Sequence, residues 1–354
     1  MTREIFRAER LPVLQNRTFA TEEEATASPT GDVVLVQDGF TGLIFNEAFD
    51  PSLVRYDADY QNEQARSSVF QRHLGDVAGV VERHFSGQRL IEVGCGKGYF
   101  LDRLRRLGYH VTGIDPAYEG DDPDVIRAPF ERGLGLSGDG VVLRHVLEHV
   151  RDPLAFLGDI TQANGGRGAI YIEVPSFEWI LEHRTWFDIF YEHVNYFRLA
   201  DFERMFGRVH ERGHLFGGQY LFVVADLASL RRPDGGAAEP VTMPADFLSS
   251  FDRAAAVIRS RTDRRYAIWG AASKGVIFSV YLRRAGVVLD AAFDINPAKQ
   301  GRFLACSGLG VSAPEKAGTR LRAGDHLFVM NSNYFQEIVE LTERRYTYST
   351  ADHE

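Results

Sequence analysis

Hydrophobic positions along the chain follow two rhythms between about residues 76 and 230. Short unbroken apolar runs, RLIEV, HVTGI, GVVLR and AIYIEV, alternate with segments whose apolar residues fall three and four apart, GYFLDRLRRLG and PLAFLGDITQA. The first pattern predicts strands buried on both faces, and the second predicts helices that bury one stripe. A further helix is predicted over SSVFQRHLGDVAGVVERHF, just ahead of the first run. Such alternation predicts a parallel, doubly wound sheet. RRPDGGAAEPVTMP, residues 231–244, has the Pro and Gly content of a linker. After it a helix, ADFLSSFDRAAAVIRSRT, leads into a second strand–helix pattern through RYAIWGAASKG, VIFSVYLRRAG, VLDAAFDINP and DHLFVMNSN. Near the N-terminus, DVVLVQDGFTGLIFN predicts two strands around a glycine turn. The expected architecture is α/β. An N-terminal module (1–75) precedes a central doubly wound, Rossmann-like domain (76–230), a linker (231–246) and a smaller C-terminal α/β domain (247–354). The cleft between the two α/β units is the expected working site.

The segment IEVGCGKG sets Gly94, Gly96 and Gly98 directly after a strand and before a helix. Glycines there permit a tight turn and close approach of a ligand to the backbone. The spacing is G-x-G-x-G rather than the G-x-G-x-x-G of dinucleotide sites, and no Lys-Ser/Thr follows as a phosphate loop requires. Asp115 ends the next strand, where a ribose hydroxyl pair is gripped in such folds. The glycine loop with Glu92 and Asp115 suits a nucleoside carrying an amino-acid tail.

Composition narrows the field. The 354 residues are 44% hydrophobic and carry a net charge of −9, with Lys+Arg 40 against Asp+Glu 49. That balance disfavours sequence-independent nucleic-acid binding, which needs many cations against phosphates. Cys95 and Cys306 are the only cysteines, too few for a disulfide framework or a thiolate zinc site. No apolar run approaches the ~20 residues of a membrane span, and MTREIFRAERLPVLQN lacks a signal-peptide core. A reduced, cytoplasmic protein is expected.

The stretch RLIEVGCGKGYFLDRLRRLGYHVTGIDP, with VVLRHVLEHVRDPLAFL after it, resembles class I S-adenosylmethionine-dependent methyltransferases. LPVLQN, FNEAFDP, YDADYQN, YEHVNYF, GAASKG and INPAKQGRFL extend the resemblance, nearly end to end, to the three-part sugar C-methyltransferases of nucleotide-sugar pathways. The resemblance implies a zinc-binding N-terminal module, a central methyltransferase domain and a C-terminal α/β domain. It implies S-adenosylmethionine as cofactor, held by Glu92, Gly94, Cys95, Gly96 and Asp115. Ala128, Pro129 and Phe130 would stand beside adenine, Arg144 and His145 near the cofactor, and Tyr56 and Tyr60 would close over it. His149 would face the substrate. Where the family shows paired cysteines, this chain has Asp38 and Thr41; zinc is not expected, and no metal ligands are assigned.

HVLEH, residues 145–149, matches the H-x-x-E-H of some zinc proteases, but it follows a strand rather than lying on a helix. His145 is expected at the strand end. In FDIFYEHVNYF, residues 187–197, Glu192 and His193 sit side by side among aromatics. Methylation of carbon beside a ketone requires a base, and histidine has nearly the right acidity at neutral pH. His193 is expected as the base, with Glu192 supporting it. Tyr191 stands in for the phenol missing at Phe190, where the family reads Tyr-His-Glu-His, and Tyr196 is expected to line the substrate pocket. Phe216 replaces a family histidine. In the C-terminal unit, Ser273 and Lys274 at a helix start suit a diphosphate, and Asn331 and Asn333 suit a nucleotide or sugar. The leading expectation is C-methylation of a nucleotide-linked sugar. The alternatives are O- or N-methylation of a related small molecule, a dinucleotide oxidoreductase and a non-catalytic cofactor-binding partner.

Overall fold

The computed structural model describes residues 1–55, 60–61, 65–85, 89–233 and 238–352. Its strands, in chain order, are β1 (Thr2–Pro12), β2 (Thr18–Phe19), β3 (Thr30–Asp38), β4 (Ile44–Asn46), β5 (Arg89–Val93), β6 (His110–Ile114), β7 (Val125–Ile126), β8 (Gly140–Arg144) and β9 (Ala169–Pro175). They continue as β10 (Asn195–Tyr196), β11 (Val209–Leu215), β12 (Tyr220–Asp226), β13 (Tyr266–Trp269), β14 (Ala291–Phe293), β15 (Phe303–Leu304), β16 (Val311–Ser312), β17 (His326–Val329) and β18 (Thr347–Thr350).

The central sheet runs in the order β11-β12-β9-β8-β5-β6-β7. β7, β6, β5, β8 and β9 are parallel; the unbroken apolar runs predict four of these strands, and β7, two residues long, carries no such run. β12 enters antiparallel beside β9, with β11 antiparallel to it. That hairpin was not anticipated: VHERGHL alternates half-buried and exposed positions, the mark of an edge strand rather than a buried one. The helix Ser68–His84 buries Phe70, Leu74, Val77 and Val81, and Ser67 caps its first amides. The helix Tyr99–Arg106 buries Phe100, Leu101 and Leu104 while its arginines face outward. Both pack on the central core with Leu90, Val111 and Val142.

The C-terminal sheet is parallel throughout, in the order β16-β14-β13-β17-β18. The N-terminal strands form an antiparallel sheet, β1-β3-β4-β10, whose fourth strand comes from the predicted base segment. This unit is therefore not closed at residue 75. β2 pairs with β15 of the C-terminal unit. In the turn between β3 and β4, Asp38 Oδ1 accepts hydrogen bonds from the Phe40 N–H and the Thr41 hydroxyl, and also from the Thr41 N–H. A self-capped turn occupies the Asp38 and Thr41 positions. Residues 238–241 of the expected linker lie against the N-terminal sheet. Gln37 donates to the Glu239 carbonyl and accepts from the Val241 N–H, and Val241 is buried. Residues 234–237 lie outside the described segments. No helix among the described residues is long and apolar enough to cross a membrane.

Candidate functional site

β5 has β6 on one side and β8 on the other, so the chain reverses its direction of winding there, and ligands bind at the carboxyl ends of such strands. The glycine turn occupies that point. Gly94, Gly96 and Gly98 all have positive φ (75°, 55° and 82°), a region that excludes most side chains. A Cβ on Gly94 would lie 2.1 Å from Val146 Cγ2, whereas one on Gly96 would meet nothing within 4 Å. The turn is thus packed beneath and open above. The Gly94 N–H donates to Ile114 O (2.8 Å), and the Gly96 N–H donates to Asp115 Oδ2 (2.8 Å). Asp115 is thereby fixed at the end of β6, half-buried beside the turn.

Glu92 is buried, and its Oε2 has no hydrogen-bond partner among the described residues. Burial raises its carboxyl to about 8; Arg144 opposes the rise and Asp115 reinforces it. Burial and the neighbouring Glu92 push the Cys95 thiol up to about 12, so Cys95 is a packing residue rather than a nucleophile. Ala128, Pro129 and Phe130 follow β7, where Phe130 stacks edge-on against Phe156 with centroids 5.9 Å apart. Tyr56 lies outside the described residues. A separate groove by Arg105, Tyr109, His110 and Asp124 opens at the opposite end of β6, away from the glycines.

At the ends of β8 and β9 sits a buried polar network centred on Glu173. Its Oε1 accepts from Arg144 (3.2 and 3.0 Å) and lies 3.3 Å from His73 Nε2, while its Oε2 accepts from the Tyr171 hydroxyl (2.9 Å). Burial would raise this carboxyl, but Arg144 and His73 hold it well below the usual range. His145 follows β8 directly, as expected, in a left-handed conformation (φ 52°). It lies 3.1 Å from Glu173 and 3.4 Å from Glu148. Burial alone would depress its imidazole; the two carboxylates reverse that and leave it at about 9. Arg144 also spreads over the Phe100 ring, 4.7 Å from its centroid. Arg144 and His145 thus reach the cleft with their charges already shared.

Residues 187–197 form a buried bend rather than a surface helix. Trp186, Phe187, Tyr191 and Phe197 are almost fully buried. The Glu192 carboxylate accepts from the Gln15 N–H (2.6 Å) and the Tyr60 hydroxyl (2.7 Å). It therefore grips the N-terminal segment. Its link to the imidazoles runs through its backbone carbonyl, 2.8 Å from His149 Nδ1. His149 and His193 stand ring to ring, centroids 5.0 Å apart, and Phe190 packs on His193 at 4.0 Å. Burial, with the His149 and His145 charges adding to it, keeps the His193 imidazole well below its ordinary value. The carboxylate sharing this corner is Glu148, 1% exposed, whose donor atom lies within 4.8 Å of those of His149 and His193. Sequence reading passed over Glu148 because H-x-x-E-H was weighed only as a helical zinc motif.

Two tyrosines expected in the pocket have their hydroxyls engaged elsewhere. Tyr191 accepts from the Asp50 N–H (2.7 Å) and donates to Asp50 O (3.3 Å). Tyr196 bonds both backbone groups of Phe190 (3.1 and 3.2 Å). Each satisfies a bend that has no strand partner there. In the C-terminal unit, Lys274 Nζ lies 3.0 Å from Asp188 and 3.9 Å from Asp352, over the Trp179 ring. Any diphosphate at Lys274 would compete with that pairing. Asn331 donates to Gln219 Oε1 (2.9 Å) and Asn333 donates to Phe216 O (3.0 Å), tying the C-terminal unit to the turn between β11 and β12. Ser273 accepts from Asn16 Nδ2 (3.1 Å), close to the Tyr60–Glu192 pair. Of the C-terminal candidates, Ser273 is the one joined through hydrogen bonds to the Glu192 corner.

Residues 62–209 match the family described as a methyltransferase domain, and residues 253–350 match the C-methyltransferase C-terminal domain. The ubiquinone biosynthesis O-methyltransferase of Ruegeria pomeroyi is 35% identical over 114 residues, 28% of this chain and 43% of that protein. The C-methyltransferase NovU of Streptomyces niveus is 26% identical over 297 residues, 72% of this chain and 69% of that protein. The chain thus spans less than half of the first of these relatives. Among solved structures, a SAM-dependent methyltransferase from Archaeoglobus fulgidus aligns with TM-score 0.33 at 16% identity, covering 46% of this chain and 95% of that one. The central sheet thus lies within the part of the chain that matches a methyltransferase domain, and a second α/β unit matching the C-methyltransferase C-terminal domain follows it.

Proposed function

We propose that the protein transfers the methyl group of S-adenosylmethionine to a small, nucleotide-linked sugar, at a carbon beside a ketone. The observation that carries this reading is the convergence of two features at the ends of β5 and β8. One is the glycine turn with Glu92 and Asp115, packed on Val146; the other is the His149–His193 pair, whose His149 stands three residues after Val146 in the same segment following β8. The cofactor would lay its ribose on Asp115 and its positively charged amino-acid tail toward Glu92, whose unpaired oxygen awaits a cation. Gly96 leaves the backbone open to it. Methyl transfer is an in-line displacement, so the protein mainly aligns and desolvates the reacting atoms. The aromatic bend 187–197 excludes water.

In this reading His193 takes the proton from the acceptor carbon, and the carbon then attacks the methyl. Burial lowers its pKa and so keeps the imidazole unprotonated, as a base must be. Glu192 supports it indirectly, holding His149 through its backbone carbonyl. The C-methyltransferase C-terminal match and the likeness to NovU support carbon as the acceptor. A sugar hydroxyl or amine is the second reading, supported by the likeness to ubiquinone O-methyltransferases. The test is incubation with nucleotide-4-keto sugars and the cofactor in deuterated water. A product methylated on carbon, with cofactor-independent exchange of the adjacent C–H that is lost in His193→Ala, is expected. A methyl on oxygen or nitrogen moves the assignment to the second reading, and no transfer to any such sugar removes the sugar.

A further inference from the structure

We propose that Glu148, His149 and His193 form a binding site for one divalent transition-metal cation. One donor atom from each lies within 4.8 Å of the others, at the mouth of the cleft between β8 and the 187–197 bend. Glu148 is 1% exposed, yet neither carboxylate oxygen has a hydrogen-bond partner among the described residues. His145 Nδ1 stands 3.4 Å from Oε1 without the alignment of a hydrogen bond. A buried carboxylate without donors is costly, and folds keep one where a cation completes it.

The orientation of His149 is the second observation. Its Nδ1 is taken up by the Glu192 carbonyl at 2.8 Å, so Nε2 is left for the site. Metal-binding imidazoles are held in this way, the outer nitrogen on a carbonyl or carboxylate and the inner one on the ion. A comparable trio, His73, His145 and Glu173, gives the contrast. There Arg144 and Tyr171 already donate to the carboxylate. Glu148 has only the His145 imidazole at 3.4 Å, and no hydrogen bond among the described residues.

Two imidazoles and a carboxylate suit zinc, manganese or iron(II) better than calcium, and three protein ligands leave coordination positions open toward the cleft. The consequence for chemistry rests on the proposed reaction. A keto or hydroxyl oxygen of the acceptor at an open position would be polarised by the cation, and with His193 engaged as a ligand its role as base is confined to the cation-free protein.

The full chain, stripped with a chelator, is titrated with zinc chloride and with manganese chloride while S-adenosylhomocysteine binding is followed separately. Uptake of about one equivalent is expected, weakened at least about 10-fold in Glu148→Gln and in His149→Ala. In the unsubstituted chain, manganese should broaden the His149 and His193 imidazole signals before that of His326, a readout that does not depend on the variants folding. No uptake by a chain that binds S-adenosylhomocysteine overturns the site, as does uptake unchanged in both variants or broadening that spares these two rings. Cation uptake without S-adenosylhomocysteine binding would instead leave the site standing and remove the methyl-transfer reading.

Discussion

In the proposed reading, cofactor capture turns on Glu92. Its carboxyl sits at about 8 in the folded protein, above its unfolded value, so the fold holds a proton there that the unfolded chain releases. Its contribution to stability is complete below about 4.5 and disappears as pH rises through about 8. A cation beside it reverses the shift, so binding of S-adenosylmethionine near pH 6.5 should release a proton. Calorimetry in buffers of different ionisation enthalpy measures this. Glu92→Gln should abolish the release and weaken binding roughly 10–100-fold, the range of a charge-assisted hydrogen bond. The glycine turn was legible because its chemistry is local: spacing and backbone conformation are set within five residues. The direction of the Glu192 side chain was not. Its partners, Gln15 and Tyr60, are 177 and 132 residues away in sequence, and adjacency to His193 carried no information about them.

Among the elements, the parallel strands β5, β6, β8 and β9 could be read from their apolar runs because burial on both faces leaves no room for polar alternation. β1 was missed although it is eleven residues long, since REIFRAER carries charges on its open face and reads as irregular. The β3–β4 turn offers a test at this scale. Asp38→Ala removes the acceptor of three hydrogen bonds. It should cost about 1–2 kcal/mol, seen as a lower midpoint in thermal unfolding, with cofactor affinity unchanged. Gly94→Ala should do the reverse. A side chain there meets Val146 in a strained conformation at the turn itself, so S-adenosylhomocysteine binding should fall by at least about 10-fold, from roughly 1–3 kcal/mol of strain.

Across the whole molecule, three units are joined by polar ties that composition cannot reveal. Lys274 of the C-terminal unit is held by Asp188 of the central one, in a setting 12% exposed at the lysine side chain. Lys274→Met would strand a buried carboxylate and should destabilise the chain by about 3–5 kcal/mol, with much of the loss recovered by adding Asp188→Asn. A raised KM with no thermal shift would instead show Lys274 holding substrate. The exchange of strands between segments was not legible in the sequence. β4 pairs with β10, and the Asn46 N–H donates to the Val194 carbonyl, far down the chain. A ribosome that has released only the first hundred residues has therefore delivered an unfinished sheet with one bare edge. Ordering of the amino-terminal strands must wait for the segment bearing the histidine pair, and a fragment ending before residue 194 should be a ready substrate for proteases and chaperones.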